Sequence, residues 1–130
     1  EEFFNESEVN LIATYTASGI QAGVPTDISI TTPKTYALLR VELSHACWLT
    51  LYSDTVSRTN DQNRLETTDS TPGSGVLAEV ISTSATSQLI TPGTICFNSS
   101  ASNITYAKLV NKSGGQVNLQ VQLTLVPLEA

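Results

Sequence analysis

The sequence is poor in the residues that most often carry chemistry. It has no methionine, one histidine, one tryptophan and two cysteines, and only 14% of its residues are charged. Cys47 and Cys96 match neither a CxxC motif nor the spacing of zinc ligands. We interpret both as buried free thiols because each lies inside a strand-like pattern, and a disulfide between facing strands is the alternative. An immunoglobulin-type pairing is disfavoured because Trp48 directly follows Cys47.

Long hydrophobic runs are also missing. No apolar stretch approaches the roughly 20 residues that a bilayer-spanning helix needs, and no signal-peptide pattern is visible, so we expect no membrane partner. Basic residues are equally scarce, at six against twelve acidic ones. Binding to DNA or RNA needs a concentrated positive surface, so nucleic acid is not an expected partner.

The net charge of −6 is concentrated at one end of the chain. Four of the twelve acidic residues lie in the first eight positions, and the rest of the chain is nearly neutral. We therefore divide the chain into an acidic N-terminal arm, residues 1–10, and a β-sandwich domain, residues 11–130. Two adjacent aromatics in the arm would be costly to leave in water. The arm either folds back on its own domain or docks on a partner. We predict that Phe3, Phe4 and Val9 contact a neighbouring molecule.

Residues 11–130 have the composition and periodicity of an all-β domain. Eighteen threonines and fifteen serines suit strands and turns and disfavour helix. The clearest strand is 116–126, where five aliphatic residues from Val117 to Leu125 alternate with polar ones, as in a strand with one buried and one wet face. Other strands are predicted at 11–17, 27–31, 36–44, 47–52, 76–83, 88–91, 94–97 and 104–111. Eight or nine short strands without a long helix predict a single antiparallel β-sandwich of jelly-roll-like topology.

The connections between these strands give more specific predictions. Residues 44–46 and 112–115 are short enough for antiparallel hairpins between their flanking strands. Pro92-Gly93 is typical of a turn that separates two short strands. The nearly continuous apolar run at 76–83 predicts a central strand whose face near Glu79 is less covered.

The longest stretch without a strand pattern is residues 54–75, DTVSRTNDQNRLETTDSTPGSG, which holds six of the eighteen charged residues. A structureless loop of this length is uncommon in a small domain, so we expect one short helical turn inside it, capped by Ser53 or Asp54. Asp54 also precedes Arg58 by four residues, the favourable order for a helical ion pair. We expect the acidic residues of this stretch to titrate normally. Four charged residues should brace the turn over one end of the sandwich: Arg58, Asp61, Arg64 and Asp69.

Two arrangements could support catalysis, and each has a simpler explanation. His45 adjoins Ser44 and lies near Cys47, but a turn histidine without a nucleophile elbow is more often structural. Glu66 and Asp69 could act as paired carboxylates, yet ordinary pKa values are expected on a solvated loop. We therefore predict that the protein is not an enzyme and that it uses no cofactor.

Two further patterns concern ligands and modification. Oxygen-bearing side chains in residues 54–75 could bind calcium, but their spacing differs from that of an EF-hand and no metal site is expected. These residues are Asp61, Asn63, Glu66 and Asp69. Four N-x-S/T triplets begin at Asn5, Asn98, Asn103 and Asn111. They are compatible with a secreted glycoprotein, although this number is only slightly above what the composition produces by chance.

Residues 36–83 read YALLRVELSHACWLTLYSDTVSRTNDQNRLETTDSTPGSGVLAEVIST. A tryptophan-containing strand is followed by a polar Arg/Asp stretch that ends in TD, then by PGSGV and an EVI strand. Downstream lie TPG at 91–93, Asn98, NKSG at 111–114 and the terminal TLVPLE. In these features the chain resembles small structural proteins of tailed bacteriophages, notably phages of cyanobacteria. The resemblance covers residues 36–129 and does not extend to residues 1–35.

The resemblance implies a virion protein with a β-sandwich fold, similar to trimeric cement or decoration proteins on the capsid exterior. On this basis we expect a homotrimer that binds the major capsid protein at the outer capsid surface. The alternative is an accessory domain of a tail fibre, tailspike or baseplate that binds host surface glycan. In that case polar contacts would come from residues 54–75 and from Asn118, Gln120 and Gln122, and an aromatic contact would come from Tyr52 or Tyr106.

Overall fold

The computed structural model describes residues 11–71 and 73–129, which form two packed antiparallel sheets and one short helix. This confirms the prediction of an all-β sandwich with a helical turn in residues 54–75. The elements in chain order are β1 (Leu11–Ile20), β2 (Pro25–Thr31), β3 (Thr35–Leu43), β4 (Cys47–Tyr52), α1 (Thr55–Asn60), β5 (Val76–Ile81), β6 (Thr86–Phe97), β7 (Ile104–Asn111) and β8 (Val117–Glu129).

The strand order is that of a jelly roll. Sheet A has the order β1-β8-β3-β6, and sheet B has the order β2-β7-β4-β5. Strands β1 to β4 therefore pair with β8 to β5 in reverse order, as if one long hairpin had been rolled into two sheets. Among the described strands, β4 and β5 are the only consecutive pair that shares a sheet, and residues 54–75 connect them.

Both predicted hairpins are wrong. Residues 44–46 lead from β3 in sheet A to β4 in sheet B, and residues 112–116 lead from β7 in sheet B to β8 in sheet A. The two connections meet at one end of the sandwich, where the backbone amide of Lys112 donates to the Ala46 carbonyl. A short connection can turn a corner between sheets as readily as it can close a hairpin, so its length alone did not distinguish the two.

The strand boundaries also differ from prediction in sheet A. Pro92-Gly93 does not separate two strands but lies within β6, which runs continuously from Thr86 to Phe97. The pairing with β3 jumps from Leu38–Thr94 to Arg40–Leu89, so residues 90–93 form a bulge. A Cβ at Gly93 would lie 3.0 Å from Leu39 Cδ2, so a larger residue in the bulge would have to push this side chain aside.

Strand β5 is an edge strand of sheet B and not the central strand predicted for residues 76–83. Its burial is uneven because Val80 faces the core while Ile81 is 43% exposed. The apolar character of residues 76–83 therefore comes from contacts with neighbouring segments and not from a central position in the sheet.

The core lies between the sheets and matches the predicted alternation in β8. Leu119, Val121, Leu123 and Leu125 are all fully buried. Cys47 and Cys96 are buried free thiols, as predicted. Burial raises the pKa of the Cys47 thiol to about 12 and that of the Cys96 thiol to about 11.

Candidate functional site

Residues 54–75, which we call the lid, cover the outer face of sheet B. Trp48, Thr50 and Tyr52 of β4 alternate with core residues and point away from the opposite sheet. Side chains at such positions normally face water, yet Thr50 and Tyr52 are fully buried and Trp48 is 6% exposed. The same is true of Lys108 in β7, which has no exposed surface. The lid therefore encloses a second, polar interior outside the main core.

Asp61 lies at the centre of this enclosed cluster. Its carboxylate accepts hydrogen bonds from the Tyr52 hydroxyl at 2.6 Å and from Arg64 Nε and Nη2 at 2.7 and 3.1 Å. Its backbone carbonyl accepts a 2.7 Å hydrogen bond from Lys108 Nζ, which also lies 3.7 Å from the carboxylate. The fork of Arg64 thus holds a carboxylate that also neutralises a buried ammonium group.

Glu79 of β5 closes the other side of the cluster. Its Oε2 accepts hydrogen bonds from Arg64 Nη2 and Trp48 Nε1, both at 2.6 Å, and from Thr50 Oγ1 at 3.2 Å. The Trp48 ring also lies within cation–π distance of both cations, at 5.5 Å from the Arg64 guanidinium and 4.7 Å from Lys108 Nζ. The lid is thereby fastened to β4, β5 and β7 together.

The pKa values reflect this pairing. Burial by itself would raise the pKa of Asp61, but hydrogen bonds from Arg64 and Tyr52 and the nearby positive charges outweigh burial and hold that pKa below its usual value. Burial and the Asp61 carboxylate raise the pKa of Tyr52. Burial lowers the pKa of Lys108, although Asp61 opposes this shift. The pairing thus favours the charged form of Asp61 and the neutral form of Tyr52, whereas burial works against the charged form of Lys108.

The helix at the start of the lid is capped as predicted. Asp54 accepts a 2.7 Å hydrogen bond from the Ser57 amide, and this bond lowers the pKa of its carboxyl group. The pairing predicted between Asp54 and Arg58 is not the one observed. Arg58 instead donates to the Ile28 carbonyl at 2.9 Å and lies 3.6 Å from Asp27, so it ties α1 to β2.

Three expectations about the lid need correction. The lid covers a face of sheet B and not one end of the sandwich. Asp69 is exposed, so the bracing is done by Arg58, Asp61 and Arg64. The prediction that all the lid's acidic residues titrate normally is wrong for Asp54 and Asp61, because local hydrogen-bond donors lower both pKa values. The hydrogen bonds and ion pairs of these residues attach the lid to sheet B.

The structure brings some of the sequence-based candidates together. Asp61, Asn63 and Asp69 of the calcium set line one open cavity of about 370 Å³ in the lid, but Tyr52 and Arg64 already occupy the Asp61 carboxylate.

Ser44 Oγ lies 2.8 Å from His45 Nδ1 and accepts a hydrogen bond from the Gln120 amide, so this pair sits at the corner between β3 and β4. Glu66 pairs with Lys112. Within residues 11–71 and 73–129, no three His, Cys, Asp or Glu residues are grouped closely enough to hold a metal ion.

The outer face of sheet A, in contrast, carries no lid within the described chain, and half of it is apolar. At one end Ile95 lies beside Ala37 and Val126 across three strands. Ile95, Phe97 and Leu128 are 55%, 46% and 56% exposed. We call these three residues the apolar patch. Large neighbouring hydrophobic side chains in water are typical of a surface that a partner covers.

An apolar groove opens beside the first residues of β1. Leu11, Ala13 and Leu125 form its sheet A side, Pro33 of the β2–β3 connection lies opposite, and its cavity volume is about 340 Å³. Ile12 at its rim is 63% exposed. The groove and the apolar patch lie at the same end of sheet A.

The other half of the outer face of sheet A is polar. Glu42 lies between Ser87 and Gln122 in neighbouring strands, and these residues help to line a shallow cavity of about 380 Å³. Its other polar lining residues are Ser44, Thr86 and Gln120. Two of the three predicted amide contacts, Gln120 and Gln122, are therefore brought together, whereas the predicted aromatic contacts are not. Tyr52 is buried under the lid and Tyr106 lies 5.2 Å from the Arg58 guanidinium.

The predicted contact residues Phe3, Phe4 and Val9 lie outside the described residues. Two of the asparagines in N-x-S/T triplets have structural roles: Asn98 donates to the Ile104 carbonyl, and Asn111 donates to Ile20 and Gly115, with both side chains buried.

Sequence reasoning missed Lys108 and the apolar patch. For the patch there was a signal: the TICF segment of β6 is apolar on both faces of a strand, which indicates two covered faces.

The chain matches no protein-family model and no curated protein sequence. In the described part of the chain no helix is long and apolar enough to cross a membrane.

Proposed function

We propose that the protein is a non-enzymatic virion component of a tailed bacteriophage that binds the outer surface of the major capsid shell. The resemblance of residues 36–129 to small phage structural proteins supports this proposal. The jelly-roll topology is compatible with it, since viral capsid proteins use this fold, but lectins and cupins use it too. A shared fold alone does not determine function.

The observation that carries the proposal is the uneven coverage of the two sheets. The lid fastens itself over sheet B through buried ion pairs, whereas sheet A leaves Ile95, Phe97 and Leu128 in water. A protein that works alone in solution gains nothing from such a patch and risks aggregation. In a decoration protein, the patch would lie against the shell.

A small sandwich binds a shell well by combining many modest contacts. Each apolar patch offers only a limited area, so affinity would come from trimerisation and from bridging neighbouring shell subunits. The contacts of Phe3, Phe4 and Val9 belong to this proposal as links to a neighbouring molecule. The enclosed ion pairs would keep the lid in place on sheet B while sheet A binds the shell.

A shell-binding assay tests the proposal. The double variant Ile95→Ser/Phe97→Ser should lose at least about tenfold in affinity for shells of the major capsid protein, because two apolar contacts are removed. The matched control is Val56→Ser/Leu65→Ser, which changes two lid residues that are 66% and 68% exposed. The proposal fails if the unchanged protein does not bind shells or if both double variants bind equally well.

The polar cavity on sheet A favours one alternative, an accessory domain of the phage tail that binds host surface glycan. Glu42, Gln120 and Gln122 could bind sugar hydroxyl groups there. Binding of the unchanged protein to a glycan array, together with loss of binding in Gln122→Ala, would support this function. Silence on the array would remove it.

A further inference from the structure

The apolar groove beside β1 is unusual in being open at a place where the main core ends. Leu125, which is fully buried, forms its floor, and Leu11 at 43% exposure and Ile12 at 63% form its rim. Pro33 and Pro127 contribute two rigid apolar walls. A cavity of about 340 Å³ is large enough for aromatic rings, since a cavity of roughly 150 Å³ lined by aliphatic groups binds benzene.

The chain itself contains a segment of matching chemistry. Residues 1–10, EEFFNESEVN, include two adjacent phenylalanines within a run of four glutamates. The groove is apolar, and Lys34 directly follows its lining residue Pro33 in the chain. Aromatic rings would fill the groove, and the lysine that follows Pro33 in the chain would favour the neighbouring glutamates.

Where the segment joins the domain favours a groove on another molecule. Residues 1–10 enter at Leu11, which is itself on the rim of the groove. Phe3 and Phe4 precede Leu11 by eight and seven residues, so an extended segment could carry them about 25 Å away. Returning them to their own groove requires the chain to reverse direction within residues 5–10, NESEVN, whereas an extended segment reaches a neighbouring molecule without any turn.

From these observations we propose that the groove of each molecule binds the N-terminal segment of a neighbouring copy, with Phe3 and Phe4 as the inserted side chains. This contact is heterologous, and a closed ring of three copies satisfies every segment and every groove. The inference rests on the homotrimer in the proposed function, but it does not depend on shell binding.

Cysteine cross-linking of the full chain tests the inference. Phe4→Cys and Pro33→Cys are made as two separate single variants, mixed, unfolded and refolded together, and treated with a short bis-maleimide. The native Cys47 and Cys96 are fully buried, so the unchanged protein should give no product. The matched control replaces Pro33→Cys with Leu65→Cys, which is 68% exposed on the lid and does not line the groove.

The inference predicts a cross-linked dimer in the Phe4→Cys and Pro33→Cys mixture and none in the control mixture. Placing both substitutions in one chain distinguishes the remaining possibility, because a product of single-chain mass would show that the segment folds into its own groove and would overturn the inference. The absence of any product would overturn it as well.

Oligomer size gives an independent readout. Phe3→Ser/Phe4→Ser should raise the dissociation constant of the oligomer at least about tenfold by light scattering, whereas Glu1→Gln/Glu2→Gln should change it much less. An unchanged oligomer in the phenylalanine variant contradicts the inference. Shell binding is measured separately, so failure to bind shells with intact cross-linking would reject the proposed function alone.

Discussion

Single residues decide whether the polar interior under the lid is stable. Lys108 has no exposed surface, and Asp61 supplies both a hydrogen-bond acceptor and the balancing charge. Asp61 also satisfies Tyr52 and Arg64. Asp61 and Lys108 therefore differ in what their removal leaves behind. Loss of the Asp61 carboxylate deprives three side chains of a partner, whereas loss of the Lys108 ammonium group deprives only Asp61.

Asp61→Asn should lower the free energy of unfolding by about 3 kcal/mol, because it leaves a buried ammonium group without its counter-charge. Lys108→Met should cost clearly less, since Asp61 keeps Arg64 and Tyr52 as partners. Urea denaturation measures both, with the exposed Asp69→Asn as the control, expected to stay within about 0.5 kcal/mol. Equal losses for Asp61→Asn and Asp69→Asn would show that the cluster contributes nothing to stability.

The thiols make a second prediction at this scale. Because burial raises the pKa of Cys47 to about 12 and of Cys96 to about 11, neither thiol should react with a chromogenic disulfide reagent at pH 8. Both should react once urea unfolds the chain. Rapid reaction in native buffer would contradict the buried positions, and no reaction in urea would indicate a disulfide.

At the scale of elements, the lid depends on how its last residues return to β5. Gly75 has φ +86°, and a Cβ there would lie 2.0 Å from Ser57 Oγ of α1. Its carbonyl also accepts a hydrogen bond from the Ser53 amide, so the two ends of the lid meet at this residue. Gly73 has a similar φ of +81° but open space around the Cβ position.

Gly75→Ala should therefore destabilise the protein more than Gly73→Ala. Both substitutions carry the cost of a left-handed backbone, about 1 kcal/mol. Only in Gly75→Ala does the added methyl group also clash with α1 and push the helix away. Thermal unfolding of the two variants compares them directly. Matching melting temperatures would mean that the lid can shift without cost.

The sequence predicted the strands and the helical turn better than it predicted which strands lie next to each other. The alternation in β8 and the capped turn in the lid follow local rules, so both could be read directly from the chain. The crossings at 44–46 and 112–116 could not, since a short connection suits either a hairpin or a corner. The burial of Lys108 could not be predicted for a similar reason. Its partner Asp61 lies 47 residues away in the sequence, and Lys108 occupies a position that would face solvent if the lid did not cover it.

At the scale of the whole molecule, the two sheets have different roles. One is closed by the chain's own lid, and the other presents an apolar end and a polar end to solution. This division underlies the proposal that the protein functions as part of a larger assembly. It also predicts which conditions loosen the molecule.

Acid should weaken the lid through Asp61 and Asp54. Their folded-state pKa values are lowered, so their contribution is fully present above the unfolded-state pKa of about 3.9 and is lost as the pH falls through the lower folded-state values. The stability difference between the unchanged protein and Asp61→Asn should therefore shrink as the pH falls below about 4. Urea denaturation at pH 7, 5 and 3.5 measures it, and a difference that grows toward low pH would contradict the charge assignment.

The copy number in the virion tests the central claim most directly. Quantitative mass spectrometry of purified particles gives the ratio of this chain to the major capsid protein. A shell-binding trimer that repeats over the lattice predicts a fixed ratio and copies on the order of hundreds per particle, since its affinity depends on many repeated sites. A count of a few to some dozens, or none, would contradict a role on the capsid shell.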